Sequence, residues 1–322
     1  MLDIQYYFRC QIERKDDNMK RNARKNEETK KRIIWKKVVP VAISCMVIVI
    51  STFTSVKAQA LSDNSNDKKT VICIDPGHGG ETDGATYTYD EIPIYEKDLN
   101  LQIALKLEQE LQKYENLEVV MTRREDITVE LRERTQIAVD QNADYLISIH
   151  NNAAGNPELM PKGCMVLVTA SHYQSKETQV PDIYEVSTQL GLSIVGKLQN
   201  LGLSLGNELG ADSNSGLVRR PYSPEGGARR TYYYPDGSVS DYYALLRYGV
   251  EVGIPSIIIE HAYLSNEEDY CAYLATDQAL ELLAKADAEG IAEALNLTKK
   301  EVIEELTQEA ETNNLIQEAV IN

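Results

Sequence analysis

Residues 71–80 read Val-Ile-Cys-Ile-Asp-Pro-Gly-His-Gly-Gly, and the rest of the chain is best understood from this stretch outward. The first four residues are apolar and mostly β-branched, which predicts a short buried strand. The proline and three glycines that follow predict a tight loop. His78 therefore lies where the chain has just left a sheet, a position at which open α/β proteins build their sites.

The same pattern occurs twice more along the chain. The apolar residues 145–149 run directly into His150, and three isoleucines at 257–259 run into Glu260 and His261. In open α/β sheets the carboxyl ends of the strands form the edge at which sites are built. We therefore expect these ionisable side chains to converge, and we expect them to surround one metal ion.

Strand and helix patterns alternate over most of the remaining sequence. Strands are predicted at 71–74, 117–122, 145–149, 165–169 and 256–259, and helices at 96–111, 128–142, 183–203, 243–252 and 277–297. Residues 81–95 are interpreted as a surface loop beside the site, and residues 206–237 as a long aperiodic loop. The alternation predicts one α/β domain with a mostly parallel or mixed sheet flanked by helices on both faces.

The charge of the chain is distributed unevenly. The first 60 residues carry 13 basic and 6 acidic side chains, whereas residues 61–322 carry 20 basic and 44 acidic ones, a net charge of −24. Nucleic-acid binding requires a basic surface, so this composition excludes nucleic acid as a partner. It argues equally against electrostatic attachment to an anionic membrane.

The first 60 residues have the pattern of a secretory signal peptide. A basic segment ends at Lys37, residues 38–50 are nearly all apolar, and Ala58-Gln59-Ala60 matches a small-residue cleavage site. An uncleaved membrane anchor is the alternative, but an apolar core of about 13 residues is short of the roughly 20 needed to span a bilayer. We expect cleavage after Ala60 and export to the cell envelope, with Met19 as an alternative start.

The remaining boundaries follow from composition. Residues 61–69 are polar and are interpreted as a linker, and residues 298–322 as an acidic C-terminal extension. Three cysteines lie beyond residue 60 without short spacings, which excludes a zinc ribbon or a disulfide scaffold. Cys73 and Cys164 lie in apolar strands and are expected to be small buried side chains.

A metal site is predicted from three residues. The chain has only four histidines, and His78 and His150 both follow strands. Glu96 lies on the inward, apolar stripe of the first helix, where a carboxylate needs a cationic partner. Two imidazoles and one carboxylate are a ligand set of catalytic zinc, which leaves a position open for water and makes that water more acidic. Taken singly, a loop histidine or a helix-start glutamate has simpler explanations, and only the joint pattern supports the metal.

Four further residues have weaker or competing roles. Glu260, held on a rigid strand, is the candidate proton shuttle. Neighbours on a strand face opposite ways, so His261 is not expected to share its position. Asp75 either hydrogen-bonds a ligand imidazole or forms a turn before Pro76. Asn152 either binds a substrate carbonyl or closes its loop.

Four blocks of the sequence resemble a known family. Residues 75–80, 96–101, 148–153 and 260–266 are similar, in order and spacing, to the signature blocks of the zinc-dependent N-acetylmuramoyl-L-alanine amidases. Thr122-Arg123 and Leu131-x-x-Arg134 match as well, and the resemblance covers about residues 70–297. Ala262 and Tyr263 stand where the family usually has Gly and Phe, and the 206–237 loop is longer and richer in Tyr and Arg.

The resemblance implies a peptidoglycan hydrolase, or autolysin, of the bacterial cell envelope. It would cut the amide between the lactyl group of N-acetylmuramic acid and L-alanine, with zinc on His78, Glu96 and His150 and with Glu260 as the catalytic carboxylate. Two alternatives stay open: a zinc peptidase that cuts within the stem peptide, and a wall-binding protein whose 206–237 loop closes the site. Whether an activator protein is needed is also left open.

Overall fold

The computed structural model describes residues 69–154, 161–180, 182–206 and 208–300. The predicted signal peptide, nearly all of the predicted linker and residues 301–322 of the acidic extension lie outside these ranges. Within the ranges, no helix combines the length and the hydropathy that crossing a lipid bilayer requires.

Eight strands form one large sheet and one hairpin. Their bounds are β1 Thr70–Pro76, β2 Thr86–Tyr89, β3 Ile92–Tyr95, β4 Leu117–Met121, β5 Tyr145–Asn152, β6 Met165–Leu167, β7 Leu217–Val218 and β8 Ser256–Tyr263. The large sheet has the order β4-β1-β5-β8-β6-β7. β4, β1, β5 and β8 run parallel, whereas β6 is antiparallel to β8 and parallel to β7. The predicted mostly parallel, mixed sheet is confirmed.

Helices cover both faces of this sheet, as predicted. Their bounds are α1 Glu96–Leu111, α2 Leu131–Asp140, α3 Ile183–Leu201, α4 Ala244–Val252, the one-turn α5 Glu267–Asp269 and α6 Asp277–Leu295. A π-helical turn, Tyr270–Leu274, follows α5. α1, α3 and α6 pack on one face, and α2 and α4 pack on the other.

Strand alternation divides the core between these two faces. Ile72 and Ile74 pack against α1, α3 and α6, while Cys73 points to the α2 side. Cys73 and Cys164 are both buried and free, as expected from their apolar surroundings. The same alternation sends Asp75 to the α2 face, together with Cys73.

The prediction of a loop over residues 81–95 was wrong for its second half. β2 and β3 form an antiparallel hairpin, and Tyr89 stacks on Tyr270 with ring centroids 4.5 Å apart. The two turn residues, Asp90 and Glu91, have φ values of +47° and +68°. Two-residue turns of this kind usually contain Asn-Gly or Asp-Gly, so the sequence Asp-Glu does not predict one.

Two strands continue further than predicted, and this brings site residues into the sheet itself. β5 includes His150, and β8 includes Glu260, which lies directly opposite His150 in the register. The register then shifts, because Asn152 is opposite Tyr263. β8 therefore holds one extra residue at this point, in the manner of a β-bulge.

Candidate active site

Three side chains from separate elements meet at the carboxyl edge of the sheet. His78 lies in the loop after β1, Glu96 is the first residue of α1, and His150 is on β5. Glu96 Oε2 lies 3.2 Å from His78 Nε2, and Glu96 Oε1 lies 2.8 Å from His150 Nδ1. The Glu96 side chain is 6% exposed, whereas those of His78 and His150 are 31% and 20% exposed. The Glu96 carboxylate is thus shielded from solvent, whereas solvent reaches both imidazoles.

The charge of Glu96 is held by its surroundings. Burial alone would raise the pKa of this carboxyl, but hydrogen bonds and charge from His150 and His78 bring the pKa below its usual value. Glu96 Oε2 also accepts from the backbone N–H of Ala85 at 2.8 Å, and Oε1 accepts from Asn100 Nδ2 at 3.2 Å. Glu96 is therefore an ionised ligand candidate with a fixed orientation.

Two buried arginines hold the loop that carries His78. His78 has φ +59°, which is uncommon for a non-glycine residue. Arg134 Nη2 donates to the His78 carbonyl at 2.8 Å, and Arg123 Nη2 donates to the Gly77 carbonyl at 2.9 Å. Arg123 Nε also donates to the Pro76 carbonyl at 2.9 Å. These contacts fix the left-handed conformation that aims the imidazole into the site.

Asp75 does not contact an imidazole in the described part of the chain, so that predicted partner was wrong. Its carboxylate accepts from Arg134 Nη1 at 2.6 Å, Thr122 Oγ1 at 2.6 Å and Ser148 Oγ at 2.7 Å. The side chain points to the α2 face, away from Glu96. It acts on the site only through Arg134, which bonds both Asp75 and the His78 carbonyl.

Glycines are required beside the ligands by close packing. A Cβ on Gly77 would lie 2.1 Å from His150 Nε2, and a Cβ on Gly84 would lie 2.6 Å from Glu96 Oε2. Both distances are far below van der Waals contact. Gly77, next to His78 in the motif, thus makes room for the imidazole of His150. The sequence did not reveal this role.

Glu260 lies on β8 beside the His–Glu–His group. Burial raises the pKa of its carboxyl well above the usual value, and the nearby charge of Glu96 adds to this. Glu260 Oε2 is buried and has no hydrogen-bond partner among the described residues. His261 points to the other face of the sheet, where Asp287 binds it at 2.7 Å. Only Glu260 of these two neighbours is directed to the site, as strand alternation predicted.

The donor set fits a metal ion. Each of His78, Glu96 and His150 offers one ligand atom, and these three atoms lie within 4.8 Å of one another. Among the described residues, this is the group of histidine, cysteine or acidic side chains that could hold a metal ion. Two neutral imidazole nitrogens with one carboxylate oxygen match the chemistry of catalytic metal sites that retain an open position.

The matching family model covers residues 72–293 and is described as N-acetylmuramoyl-L-alanine amidase. The chain belongs to this amidase family. Among relatives, it is 36% identical over 136 residues to N-acetylmuramoyl-L-alanine amidase AmiC of Escherichia coli O6:H1, a match of 42% of this chain and 31% of AmiC. It is 26% identical over 230 residues to the endolysin of Bacillus phage SPP1, covering 71% of this chain and 68% of the endolysin.

A solved amidase structure shares the fold. The catalytic domain of CwlV from Bacillus (Paenibacillus) polymyxa var. colistinus matches with a TM-score of 0.50 and 25% identity, over 71% of this chain and 99% of that domain. The match spans about a third or less of the length of the first curated relatives.

Within this amidase-family domain, both the oxygen and the nitrogen of the Asn152 amide have a partner in the protein. Oδ1 accepts from the backbone N–H of Ala153 at 2.8 Å, and Nδ2 donates to the Tyr263 hydroxyl at 3.1 Å. This geometry favours loop closure over substrate binding. The Tyr263 hydroxyl in turn donates to Glu208 at 3.2 Å, which joins the start of the long 206–237 segment to the edge of the site.

The long segment contributes β7 to the large sheet and Leu217 and Val218 to the core. Its remaining residues include basic and aromatic side chains that contact one another and the tyrosines just after the segment. The Arg220 guanidinium lies 3.7 Å from the Tyr242 ring centroid, and Tyr222 and Tyr232 meet edge to face at 4.6 Å. Asp241, which is buried, accepts from Thr169 Oγ1 at 2.6 Å and anchors the end of this segment to the sheet. His172 is exposed.

Proposed function

We propose that this protein is a zinc-dependent hydrolase that cuts the amide between N-acetylmuramic acid and L-alanine in bacterial peptidoglycan. The observation that carries the proposal is the meeting of His78, Glu96 and His150 beside Glu260, in a chain that belongs to the amidase family. Peptidoglycan is accordingly its proposed substrate and partner.

His78, Glu96 and His150 would hold the zinc, with His78 Nε2 and His150 Nδ1 as the nitrogens that face Glu96. Bound zinc supplies a Lewis acid and makes water acidic enough to attack at neutral pH. Glu96 contributes a fixed negative charge, because its pKa is held low. Asn100 helps to orient it by donating to Oε1 at 3.2 Å.

Glu260 would transfer the proton. Its carboxylate takes a proton from the attacking water and delivers it to the nitrogen of L-alanine as the C–N bond breaks, so the group returns to its starting state. Burial raises the pKa of this carboxyl, which makes the carboxylate a stronger base than that of an exposed glutamate. The partnerless Oε2 leaves one oxygen available for the water.

We also propose that the protein acts outside the cytoplasm. The support is the basic, apolar and Ala-x-Ala succession within residues 1–60, together with a substrate that lies in the cell wall. Fractionation of cells and N-terminal sequencing of the mature protein test this, with a new N-terminus at Leu61 as the expected result. A protein that keeps residues 1–60 and sediments with membranes would support the anchor instead.

The decisive assay uses purified protein and intact peptidoglycan, with zinc or with a chelator. We expect zinc-dependent release of alanine amino groups without new sugar reducing ends. Release of peptides that leave alanine attached to muramic acid would support the stem-peptide peptidase. Binding to peptidoglycan without any cleavage, with zinc bound, would contradict the proposal and support the wall-binding alternative.

A further inference from the structure

A buried histidine–aspartate pair lies behind the site, on the other face of the sheet. His261 follows Glu260 on β8, and Asp287 lies on α6. Both side chains are 0% exposed, and His261 Nε2 lies 2.7 Å from Asp287 Oδ2. The proposed chemistry uses neither residue.

The ring of His261 reaches the backbone of a metal ligand. Its Nδ1 lies 3.1 Å from the carbonyl oxygen of His150. A carbonyl oxygen can only accept, so Nδ1 carries the hydrogen whichever group holds the proton between Nε2 and Asp287. His261 is therefore a fixed donor to the peptide group that joins His150 to Asn151.

The other end of this same peptide group reaches a second ligand. The backbone N–H of Asn151 points to Glu96 Oε1, with N and O 3.3 Å apart. A continuous path thus runs from Asp287 through His261 and one peptide group to Glu96. Because hydrogen bonds in series polarise one another, a donor on the carbonyl strengthens the N–H as a donor to Glu96.

The path crosses the sheet where the sheet is irregular. The register of β5 against β8 shifts between His150 and Asn152. Such irregularities disrupt the ladder locally and bend the strand, so backbone pairing alone defines this peptide less well. The bond from His261 lies at the shift and joins the two strands through a side chain.

We propose that His261 and Asp287 are positioning residues, which hold the His150–Asn151 peptide and through it orient two of the three metal ligands. The inference rests on the metal site of the proposed function and deepens it. Residues that orient ligands in this way typically contribute 10- to 100-fold to metal affinity or activity. Stability alone is a weaker explanation, because apolar residues often replace a buried ion pair without loss.

The hydrogen bonding of the pair is also incomplete, which is not expected of a pair that mainly stabilises the fold. Asp287 Oδ1 is buried without a hydrogen-bond partner in the described ranges, and burial raises the pKa of its carboxyl. A buried polar atom left without a partner costs free energy rather than contributing it. The presence of Asp287 at this position is explained if it fixes the orientation of the His261 ring.

The test compares His261→Leu, His261→Asn and Asp287→Asn with wild type in the full chain. Zinc affinity is measured by competition with a chromophoric chelator, ligand geometry by the visible spectrum of the cobalt(II)-loaded protein, and turnover by kcat and KM on peptidoglycan. We expect His261→Leu to bind zinc about 10- to 100-fold more weakly, with a changed cobalt spectrum and a lower kcat. His261→Asn keeps a donor close to the position of Nδ1 and is expected to recover most of the affinity.

Asp241→Asn is the matched control. Asp241 is 1% exposed and accepts from Thr169, Ala170 and Tyr234, and none of the site residues is among its partners. It should lower thermal stability while leaving zinc affinity and the cobalt spectrum unchanged.

Folded His261→Leu and Asp287→Asn proteins with wild-type zinc affinity and cobalt spectrum would overturn the inference. If His261→Leu does not fold, Asp287→Asn decides the question on the same readouts, and weaker zinc binding than in wild type is then expected. A wild-type protein that binds zinc but releases no alanine amino groups would contradict the proposed function alone, because the affinity comparison does not depend on cleavage.

Discussion

Two buried carboxyl groups, each paired with a basic side chain, lie on opposite faces of the sheet, and they differ in how well their polar atoms are matched. On the α2 face, Asp75 accepts three side-chain hydrogen bonds, one of them from Arg134 at 2.6 Å. On the α6 face, Asp287 binds His261 alone, and its Oδ1 has no partner among the described residues. Each pair nevertheless supports one metal-ligand candidate, His78 or His150.

The difference is visible in the two carboxyl groups. Burial alone would raise both pKa values, but Arg134, Ser148 and Thr122 hold the pKa of Asp75 below its usual value. His261 does not achieve this for Asp287, whose pKa stays raised. Because its carboxylate has a full set of partners, the Asp75–Arg134 pair stabilises the fold as well as the site. The His261–Asp287 pair is expected only to hold the metal ligands in position.

Breaking the first pair should have the largest effect. Arg134→Met leaves Asp75 buried without its cation and removes the donor to the His78 carbonyl. We expect a loss of about 3–5 kcal/mol in the free energy of unfolding and a loss of bound zinc. Denaturant unfolding and elemental analysis measure the two.

Lys162→Met is the control for this change. Lys162 forms an ion pair with Glu268, and both side chains are exposed, at 51% and 77%. Exposed pairs contribute at most about 1 kcal/mol, so unfolding should change little and bound zinc not at all. An Arg134→Met protein as stable as the control variant would refute the role assigned to the Asp75 pair.

A second change separates ligand position from both ion pairs. Gly77→Ala places a Cβ where the ring of His150 now lies, at 2.1 Å from Nε2. The ring must move, so we expect zinc affinity to fall at least about tenfold, in the range seen when ligand orientation is disturbed. Chelator competition measures it.

Gly196→Ala, on α3, provides the comparison. A Cβ there meets no atom within 4 Å, and alanine is preferred over glycine in helices. This variant should keep its zinc affinity and gain about 0.5–1 kcal/mol in stability. Equal zinc affinity in Gly77→Ala and Gly196→Ala would show that the close approach to His150 does not matter.

The smallest expected effect is a pH dependence that sharpens the contrast. The pKa of Asp75 is lower in the folded than in the unfolded protein, so as pH falls the unfolded chain takes up this proton first. The stabilisation is present above the unfolded pKa of about 3.9 and is lost as pH falls through the folded pKa. Asp75→Asn removes it.

The measurement is the free energy of unfolding near pH 6 and near pH 3, in the presence of a chelator. Wild type should lose more stability between these two values than Asp75→Asn does. An identical loss in both proteins would mean that Asp75 is not held as a charged group in the folded state.

Short-range pattern was enough to predict the ligand set, and long-range pairing was not. His150 and Glu260 directly follow runs of mostly apolar residues, and His78 comes shortly after such a run, so the strand ends could be recognised one at a time. Arg134 is separated from Asp75 by 59 positions, and no local periodicity connects them. The contact between Asp75 and Arg134 was not predicted for this reason.

The same limit applies to His261 and to the hairpin. Alternation correctly turned His261 away from the site, but its partner Asp287 lies 26 positions away on a helix that the sequence predicted only as a periodic stripe. β2 and β3 were missed because their turn, Asp90-Glu91, lacks glycine and asparagine. Packing against Tyr270 fixes that hairpin, and no sequence pattern reports such a contact.

The central claim is that Glu260 transfers the proton for an amide hydrolysis supported by the His78–Glu96–His150 metal site. The most direct measurement compares wild type with Glu260→Gln in one experiment, determining bound zinc by elemental analysis and alanine amino groups released from peptidoglycan. We predict equal zinc in both proteins and a turnover that is about 10²- to 10⁴-fold lower in Glu260→Gln. Equal turnover at equal zinc content would contradict the account.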